Sequence, residues 1–469
     1  MYLVSVAACY GRHVHRLPSF PGSRPGESKR VTIRLDGEAI EAIEGEPVAA
    51  ALIAAGKIAL ARSPKFHRPR GPSCFRAACD GCLARVDGAP NTMTCLTAAK
   101  DGMEIASQNT LGSRELDLLR MTDWFFPEGF NHHELFAGVP GVQQVMQIFA
   151  RRVAGLGRIP ESVAAPRAGA RRELDVVVVG SGASGMAIAL ELAARGRHVD
   201  VLDDALTPGG SLRALVGEEQ AWSAIVEPFG DAVRKQTIAM RTSTTAAGLY
   251  GDDLMVVGPT GARVVNARAL VLASGAHDGV LPFESNDVPG VMSARAGGML
   301  LARGVAPGEK IVVAIAEGGG PFGEAFARAG REAGLDVTVV HGVPESVSGS
   351  LRVKAVKFLE GKRTKTVKAD CLLVDAPRAP AYELCEQAGA TLKHRPFGFL
   401  PMTDAERRIR DGVWAIGEVA GTPLEPRAIL REARKVADAI MKAQSSTSAP
   451  KSESPPRTAT KSKVPSKIK

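Results

Sequence analysis

DVVVVGSGASGMAIALELAARGRHVDVLDDALTPGG, running from Asp175 to Gly210, decides the fold. Four consecutive valines, Val176 to Val179, are a short β-branched run of the kind that forms a strand buried on both faces. The run stops at Gly180-Ser181-Gly182-Ala183-Ser184-Gly185, a GxGxxG turn. A helix is predicted from Met186 to Arg195, with Gly196 where a C-terminal cap belongs. A second strand, His198–Leu202, ends at Asp203-Asp204. Gly180 permits the tight turn, Gly182 lets a diphosphate approach the backbone, and Gly185 lets helix and strand pack closely. The N–H groups at the helix start, around Ala183 and Ser184, attract phosphates. Asp203 lies 23 residues after Gly180, where a carboxylate can accept hydrogen bonds from ribose hydroxyls. Pro208-Gly209-Gly210 can lie beside the same cofactor. A lone glycine turn is a weak signal, but the whole βαβ unit predicts a dinucleotide site.

Downstream, Ala269–Ala276 (ALVLASGA) is predicted as a buried strand running into Ser274-Gly275, of the kind that closes the flavin part of a two-dinucleotide flavoprotein. A second unit starts at Lys310, with strand Ile311–Ile315, turn Gly318-Gly319-Gly320-Pro321-Phe322-Gly323, helix Glu324–Ala333 and strand Val337–Val340. It is looser than the first. Ala316-Glu317 separates strand from glycines, and the last strand ends at His341 where a ribose-binding acid belongs. NAD, NADP, an adenine nucleotide and an empty packing domain all stay open for Gly318, Gly320 and Gly323. GVWAIGEVAG, Gly412 to Gly421, predicts a return strand whose Gly417-Glu418 end meets the flavin ribityl chain and diphosphate. Pro426–Ala443 then closes the flavin part as a helix with its N-terminal end toward the flavin.

Upstream, Val31–Leu35 alternates as a strand, turns at Asp36-Gly37 and returns as Glu38–Glu44. Pro47–Ala55 is a short apolar helix stopped by Gly56. A hairpin followed by a helix opens a ferredoxin-like β-grasp domain. Cys74, Cys79 and Cys82 follow as C-x4-C-x2-C, and Cys95 comes twelve residues later, brought back by a strand at Leu83–Val86 and a turn at Asp87–Pro90. That is the spacing of a plant-type [2Fe–2S] site. A structural zinc also takes four thiolates, although zinc ribbons usually pair two C-x2-C knuckles. A site that keeps only the fold is the third reading. Phe75-Arg76-Ala77-Ala78 contains no glycine, so the loop must wrap in an allowed but tighter conformation.

A chain of 469 residues has room for about three domains. With 45% hydrophobic residues and 50 glycines it can build a large core with many turns, which suits an α/β protein. No apolar run reaches the ~18 residues of a membrane span. Met1–Ala8 lacks the basic start and cleavage site of a secretory signal. The net charge of +9 sits at the two ends. Arg12, Arg16, Arg24, Lys29 and Arg30 oppose only Glu27, and Lys451, Arg457, Lys461, Lys463, Lys467 and Lys469 oppose only Glu453. The folded part is therefore neutral, with no nucleic-acid face. Seven cysteines, four of them clustered, fit a reducing, cytoplasmic compartment better than disulfides.

The expected organisation is an α/β chain in which a ferredoxin-like β-grasp domain precedes a two-dinucleotide-binding, Rossmann-type flavoprotein domain. Residues 1–29 read as a disordered basic extension or the product of an upstream start codon, and 30–108 as the [2Fe–2S] domain. Residues 109–170 read as a helical connector and linker, with helices at Asp117–Phe126 and Val142–Val153 and linker composition over Ser162–Arg172. The flavin domain takes 171–305 and 401–445, an NAD(P)-like domain is inserted at 306–400, and 446–469 is a disordered tail. His132-His133 are adjacent and do not face one site, so they read as a surface or packed pair rather than a metal site.

The chain resembles the α subunits of heteromeric sarcosine oxidase and their relatives, the opine, proline and hydroxyproline dehydrogenases and hydrogen cyanide synthase. The resemblance runs from about Val31 to Ala443 and is carried by VDGAPNTMTC, TDWFFPEGFNHHELF, RRVAGLGRIP, GSGASG and GVWAIGEVAG, in that order. Two departures are a missing C-terminal folate-binding domain and Glu418 in place of a typical Asp. The resemblance implies an electron-transfer subunit of an amino-acid or amine dehydrogenase or oxidase. FAD would sit on Gly180, Gly182, Ala183, Ser184, Gly185, Asp203, Gly210, Gly275, Gly417 and Glu418, and Cys74, Cys79, Cys82 and Cys95 would hold a [2Fe–2S] cluster. A separate flavin-containing β subunit would oxidise the C–N bond, making a hetero-oligomer. A stand-alone NAD(P)H-dependent flavin and iron–sulfur oxidoreductase is the first alternative, and a non-catalytic nucleotide-binding scaffold the second. A disulfide reductase is disfavoured because 171–445 contains no CxxC. No acid–base pair or nucleophile stands out as catalytic.

Overall fold

The computed structural model describes residues 15–18, 20, 29–64, 66–125, 141, 142, 144, 145, 148, 169–361 and 363–447. Arg30–Leu35 alternates exposed and buried positions, so Val31, Ile33 and Leu35 all enter one core. It pairs antiparallel with Glu38–Ile43 and parallel with Glu104–Ala106. Leu83–Val86 and Ala89–Met93 complete a five-stranded sheet. Every residue of the helix Val48–Ala54 is buried against it. Ala89 and Pro90, expected in the turn, belong to the return strand.

The second sheet has Ala170–Val179 at its centre, parallel to Val199–Leu202 on one side and to Gly261–Leu272 on the other. Val176, Val177 and Val178 are fully buried, as a run without polar alternation requires. The predicted helix forms as Ala183–Ala194, and Gly196 takes the left-handed conformation just beyond it. Val413–Ala415 returns to the same sheet beside Gly261–Leu272, and the closing helix runs from Pro426 to Thr447. The strand predicted at Ala269–Ala276 therefore starts earlier and ends at Leu272, with Ala276–His277 a separate short strand. The linker reading fails at Ala170–Arg172, which are strand residues; pairing with Arg263–Val265 overrides their charged composition.

The third sheet is parallel, in the order Val291–Ser293, Cys371–Asp375, Lys310–Ile315, Asp336–His341, with the helix Phe322–Glu332 against it. Val291 pairs with Leu372, so the boundary expected at 305/306 falls before Val291. The helix Ala294–Leu301 is wholly buried between this sheet and the 3-10 turn Gly210–Ala214. Gly298 lets it approach Ala214, since an ideal Cβ there would lie 2.3 Å from the Ala214 carbonyl oxygen.

Part of the expected N-terminal extension is ordered. Leu17 N donates to Gly304 O and Ala306 N to His15 O, each at 2.8 Å, and His15 is buried. Residues 1–14, 19 and 21–28 of the extension, His132-His133, most of Val142–Val153 and the tail from 448 lie outside the described residues. Asp117–Phe126 forms a 3-10 turn, Leu118–Arg120, and a short helix, Met121–Phe125. Among the described residues no helix is long and apolar enough to cross a membrane.

Candidate functional site

The glycine-free cysteine loop closes by placing Phe75 and Ala77 in the left-handed region, at φ +52° and +58°. The tighter conformation is thus the one glycine would enter without cost. In return Arg76 N and Ala78 N donate to Cys74 Sγ at 3.4 and 3.3 Å. The four sulfurs fall into two neighbouring pairs. Cys74 donates to Cys79 Sγ at 3.4 Å, and Cys82 and Cys95 hydrogen-bond to each other. The Cys74 S–H draws the Cys79 thiol down to about 5, and Cys95 likewise lowers Cys82, while the donating thiols Cys74 and Cys95 are pushed up. Among the described residues no three His, Cys, Asp or Glu side chains converge as a single-ion site needs. Two thiol pairs suit a two-iron cluster, with one pair for each iron, better than one tetrahedral zinc. Ala77→Gly is expected to relieve the backbone and raise stability by up to about 1 kcal/mol, read as a higher Tm of the metal-loaded chain.

Next to this loop lies a cavity of about 550 Å³, within the usual range for a cofactor site. Gly180, Gly182, Ala183, Ser184, Asp203, Gly210, Gly275 and Glu418 all line it. Gly185 and Gly417 do not; they work behind the wall. An ideal Cβ on Gly185 would lie 1.9 Å from Gly180 O, and one on Gly417 would lie 2.3 Å from Ser184 Oγ. Gly180 itself, at φ +102°, passes Ala273 O so closely that a Cβ would sit 2.3 Å away. An ideal Cβ on Gly182 would meet nothing within 4 Å, and no side chain caps the helix it begins. Open space in front of uncapped N–H groups is what a diphosphate requires. The residues present therefore fit FAD.

Asp203 has a second duty. Its Oδ2 accepts from Ser181 N and Oγ at 2.7 and 2.6 Å, and its Oδ1 from Ala205 N at 2.9 Å, so it holds the glycine turn as well as facing the cavity. Asp204 also lines the wall, its carboxyl pushed up by burial and by Asp203. Buried Glu432 on the closing helix, with no local signature in the sequence, accepts from Gly417 N at 2.9 Å and so fixes the last flavin motif.

Three arginines missed by sequence reasoning complete the lining: Arg76, Arg213 and Arg295. Arg295 is 2% exposed, pairs with Asp278 at 2.8 Å and donates to Ser211 Oγ at 2.9 Å; burial and Arg76 lower it to about 10. Arg76 belongs to the cysteine loop, and its guanidinium donates to Ala276 O on the flavin side. Arg76, Ala77 and Ala78 thus face the cavity, while the N–H groups of Arg76 and Ala78 serve a cysteine sulfur. One layer of backbone separates thiols from cavity. Cys371 and Cys385 are buried and unpaired, both pushed up first by burial, Cys385 to about 12.

At the second glycine turn the geometry is different. Gly320 N and Gly323 N donate to the Asp375 carboxylate at 3.0 and 2.6 Å. Arg378 fills the space over Gly320, where a Cβ would meet its Nη1 at 2.1 Å. The same guanidinium lies 4.8 Å from the Phe322 ring centre and donates to Glu418 Oε1, from Nε at 2.9 Å. Glu418 is thereby held by the inserted module as well as facing the cavity. His341 is exposed, 3.7 Å from Glu324.

Residues 28–110 match the family described as 2Fe-2S iron-sulfur cluster binding domain, and residues 174–351 match pyridine nucleotide-disulphide oxidoreductase. The chain is 28% identical over 408 residues to the sarcosine oxidase alpha subunit of Rhizobium meliloti, covering 76% of this chain and 41% of that protein. It is 26% identical over 314 residues to the opine oxidase A subunit of Agrobacterium tumefaciens, covering 53% and 61%. It therefore spans less than two thirds of the length of these curated relatives. The crystal structure of L-proline dehydrogenase from P. horikoshii superposes with a TM-score of 0.68 at 23% identity, over 91% of this chain and 76% of that one, which shows a shared fold. The chain is a homologue of the sarcosine oxidase alpha and opine oxidase A subunits, in which a region matching a 2Fe-2S iron-sulfur cluster binding domain precedes one matching pyridine nucleotide-disulphide oxidoreductase.

Proposed function

We propose that the chain is the electron-transfer subunit of a cytoplasmic, hetero-oligomeric amine or amino-acid dehydrogenase or oxidase. The observation that carries this is the Arg76–Ala78 segment, which lines the flavin cavity with one side and donates N–H groups to a cysteine sulfur with the other. FAD would be held by Gly180, Gly182, Ala183, Ser184, Asp203, Gly210, Gly275 and Glu418, with Gly185 and Gly417 keeping the cradle closed. Cys74, Cys79, Cys82 and Cys95 would hold a [2Fe–2S] cluster. A bound flavin accepts two electrons from organic substrates and passes them singly to one-electron carriers. Arg76 and Arg295 place positive charge at the cavity wall, where they favour an electron-rich ligand, and burial keeps water from screening Arg295.

The named relatives are subunits, and their names assign them sarcosine and opine substrates. By that likeness the C–N bond is oxidised in a separate flavin-containing β subunit. The chain purified alone with both cofactors is expected to leave its flavin oxidised under anaerobic excess of sarcosine, proline or an opine. Photoreduction of that flavin is expected to produce the electron-paramagnetic signal of a reduced cluster. Full amine dehydrogenase activity in the isolated chain, or a cluster that stays oxidised beside reduced flavin, would overturn the reading.

A further inference from the structure

We propose that Asp375 is the residue that closes the second dinucleotide fold to nucleotides, by occupying the phosphate position with a carboxylate of the chain itself. An anion belongs at the start of a helix that follows a glycine turn, because several N–H groups converge there with the positive end of the helix dipole. At the first turn that place is open space, with nothing within 4 Å of an ideal Cβ at Gly182. At the second it is filled. Asp375 ends the strand Cys371–Asp375 and is 3% exposed, and each of its oxygens takes a different glycine N–H, Gly320 and Gly323.

Three further features agree. Arg378 sits over Gly320, supplying the cation that a diphosphate would otherwise want, and its loop companion Pro377 covers Gly318 together with Phe397. A Cβ at Gly318 would meet Pro377 at 3.4 Å and Phe397 at 3.6 Å. The strand beyond the helix ends at exposed His341, so the ribose has no carboxylate to bind. The glycines are still needed, since a side chain at 320 would displace Arg378 and one at 323 would press on Asp375 Oδ2, 3.1 Å away. They serve a buttress: Asp375 holds the turn, and Arg378 carries its support across to Glu418 in the flavin motif. The flavin of this chain then takes no hydride from NAD(P)H, which removes the stand-alone reductase alternative.

The test uses the full-length chain saturated with excess FAD, so that the first site is blocked, titrated with a fluorescent ADP analogue and separately with NADH. The wild type is expected to show no saturable binding up to about 1 mM, and Asp375→Gly to gain binding at least about tenfold tighter. Arg378 keeps its Glu418 partner in that variant, and its buried Nη1, which has no hydrogen-bond partner, becomes available to a phosphate. Adding Arg378→Met to Asp375→Gly is expected to cancel the gain. Saturable ADP or NADH binding by the FAD-loaded wild type overturns the proposal, and that measurement stands even if the variant fails to fold. So does an Asp375→Gly chain that keeps its flavin and Tm yet binds no nucleotide. Neither outcome depends on whether the cluster accepts electrons, so failure here is distinct from failure of the proposed function.

Discussion

Gly185→Ala is expected to yield a chain that leaves the column without flavin. An ideal Cβ at this position lies 1.9 Å from Gly180 O and 2.9 Å from Gly180 C, both of them backbone atoms that no rotamer change can move. The helix Ala183–Ala194 must slide off the strand end, at a cost of about 1–3 kcal/mol of overpacking. The same shift misplaces the N–H groups that face the cavity. Flavin content per chain is expected to fall at least about tenfold, measured by absorbance after desalting, with a lower Tm. Two neighbouring glycines separate the causes. Gly182→Ala meets no protein atom within 4 Å at an ordinary φ of −71°, so it should leave the apo-chain's stability unchanged and still weaken FAD. Gly196→Ala should cost about 1 kcal/mol for its left-handed φ of +79° and leave FAD binding intact. Full flavin retention in Gly185→Ala would show that the cofactor does not depend on this cradle.

The second large effect is expected at Cys79. Its thiol is drawn toward the thiolate, first by Cys74 and then by Ser73 and the Gly81 backbone. Serine offers a poorer, harder donor for iron. Because each iron of a two-iron cluster depends on its pair of cysteines, one failed ligand is expected to release the whole cluster rather than half of it. Iron and acid-labile sulfide in Cys79→Ser should both drop at least about tenfold, with the visible iron–sulfur bands lost and the flavin bands kept. Cys371→Ser, altering a fully buried thiol in the third sheet, should change neither iron nor sulfide. Equimolar zinc in the wild type, without sulfide, would return the site to the structural-zinc reading.

What could be read in advance was local. Val176–Val179 followed by its glycines announces strand, turn and helix within one stretch, because each residue's role depends on near neighbours. The cysteine spacing works in the same way. What stayed hidden was assembled by the tertiary fold. Arg76 meets Ala276 two hundred residues away, and Glu432 finds Gly417 only after the closing helix has docked. Asp375 is one acid at a strand end, 52 residues beyond Gly323, with no local pattern to mark it. The second glycine turn was therefore legible as a turn, but its occupant was not. His341 and the extra Ala316-Glu317 were the available hints that this turn differs from the first. Backbone strain was legible only as an expectation: a loop lacking glycine must bend somewhere, and the folded loop does so at Phe75 and Ala77.

The carboxylate on Gly320 and Gly323 is joined to its receptor by the chain, so dilution cannot remove it and a soluble competitor must outbid an effective concentration fixed by the fold. Throughput in such a protein would not follow the cell's balance of oxidised and reduced nicotinamide. Under the proposed function it would answer only to the supply of amine and to whatever drains the iron.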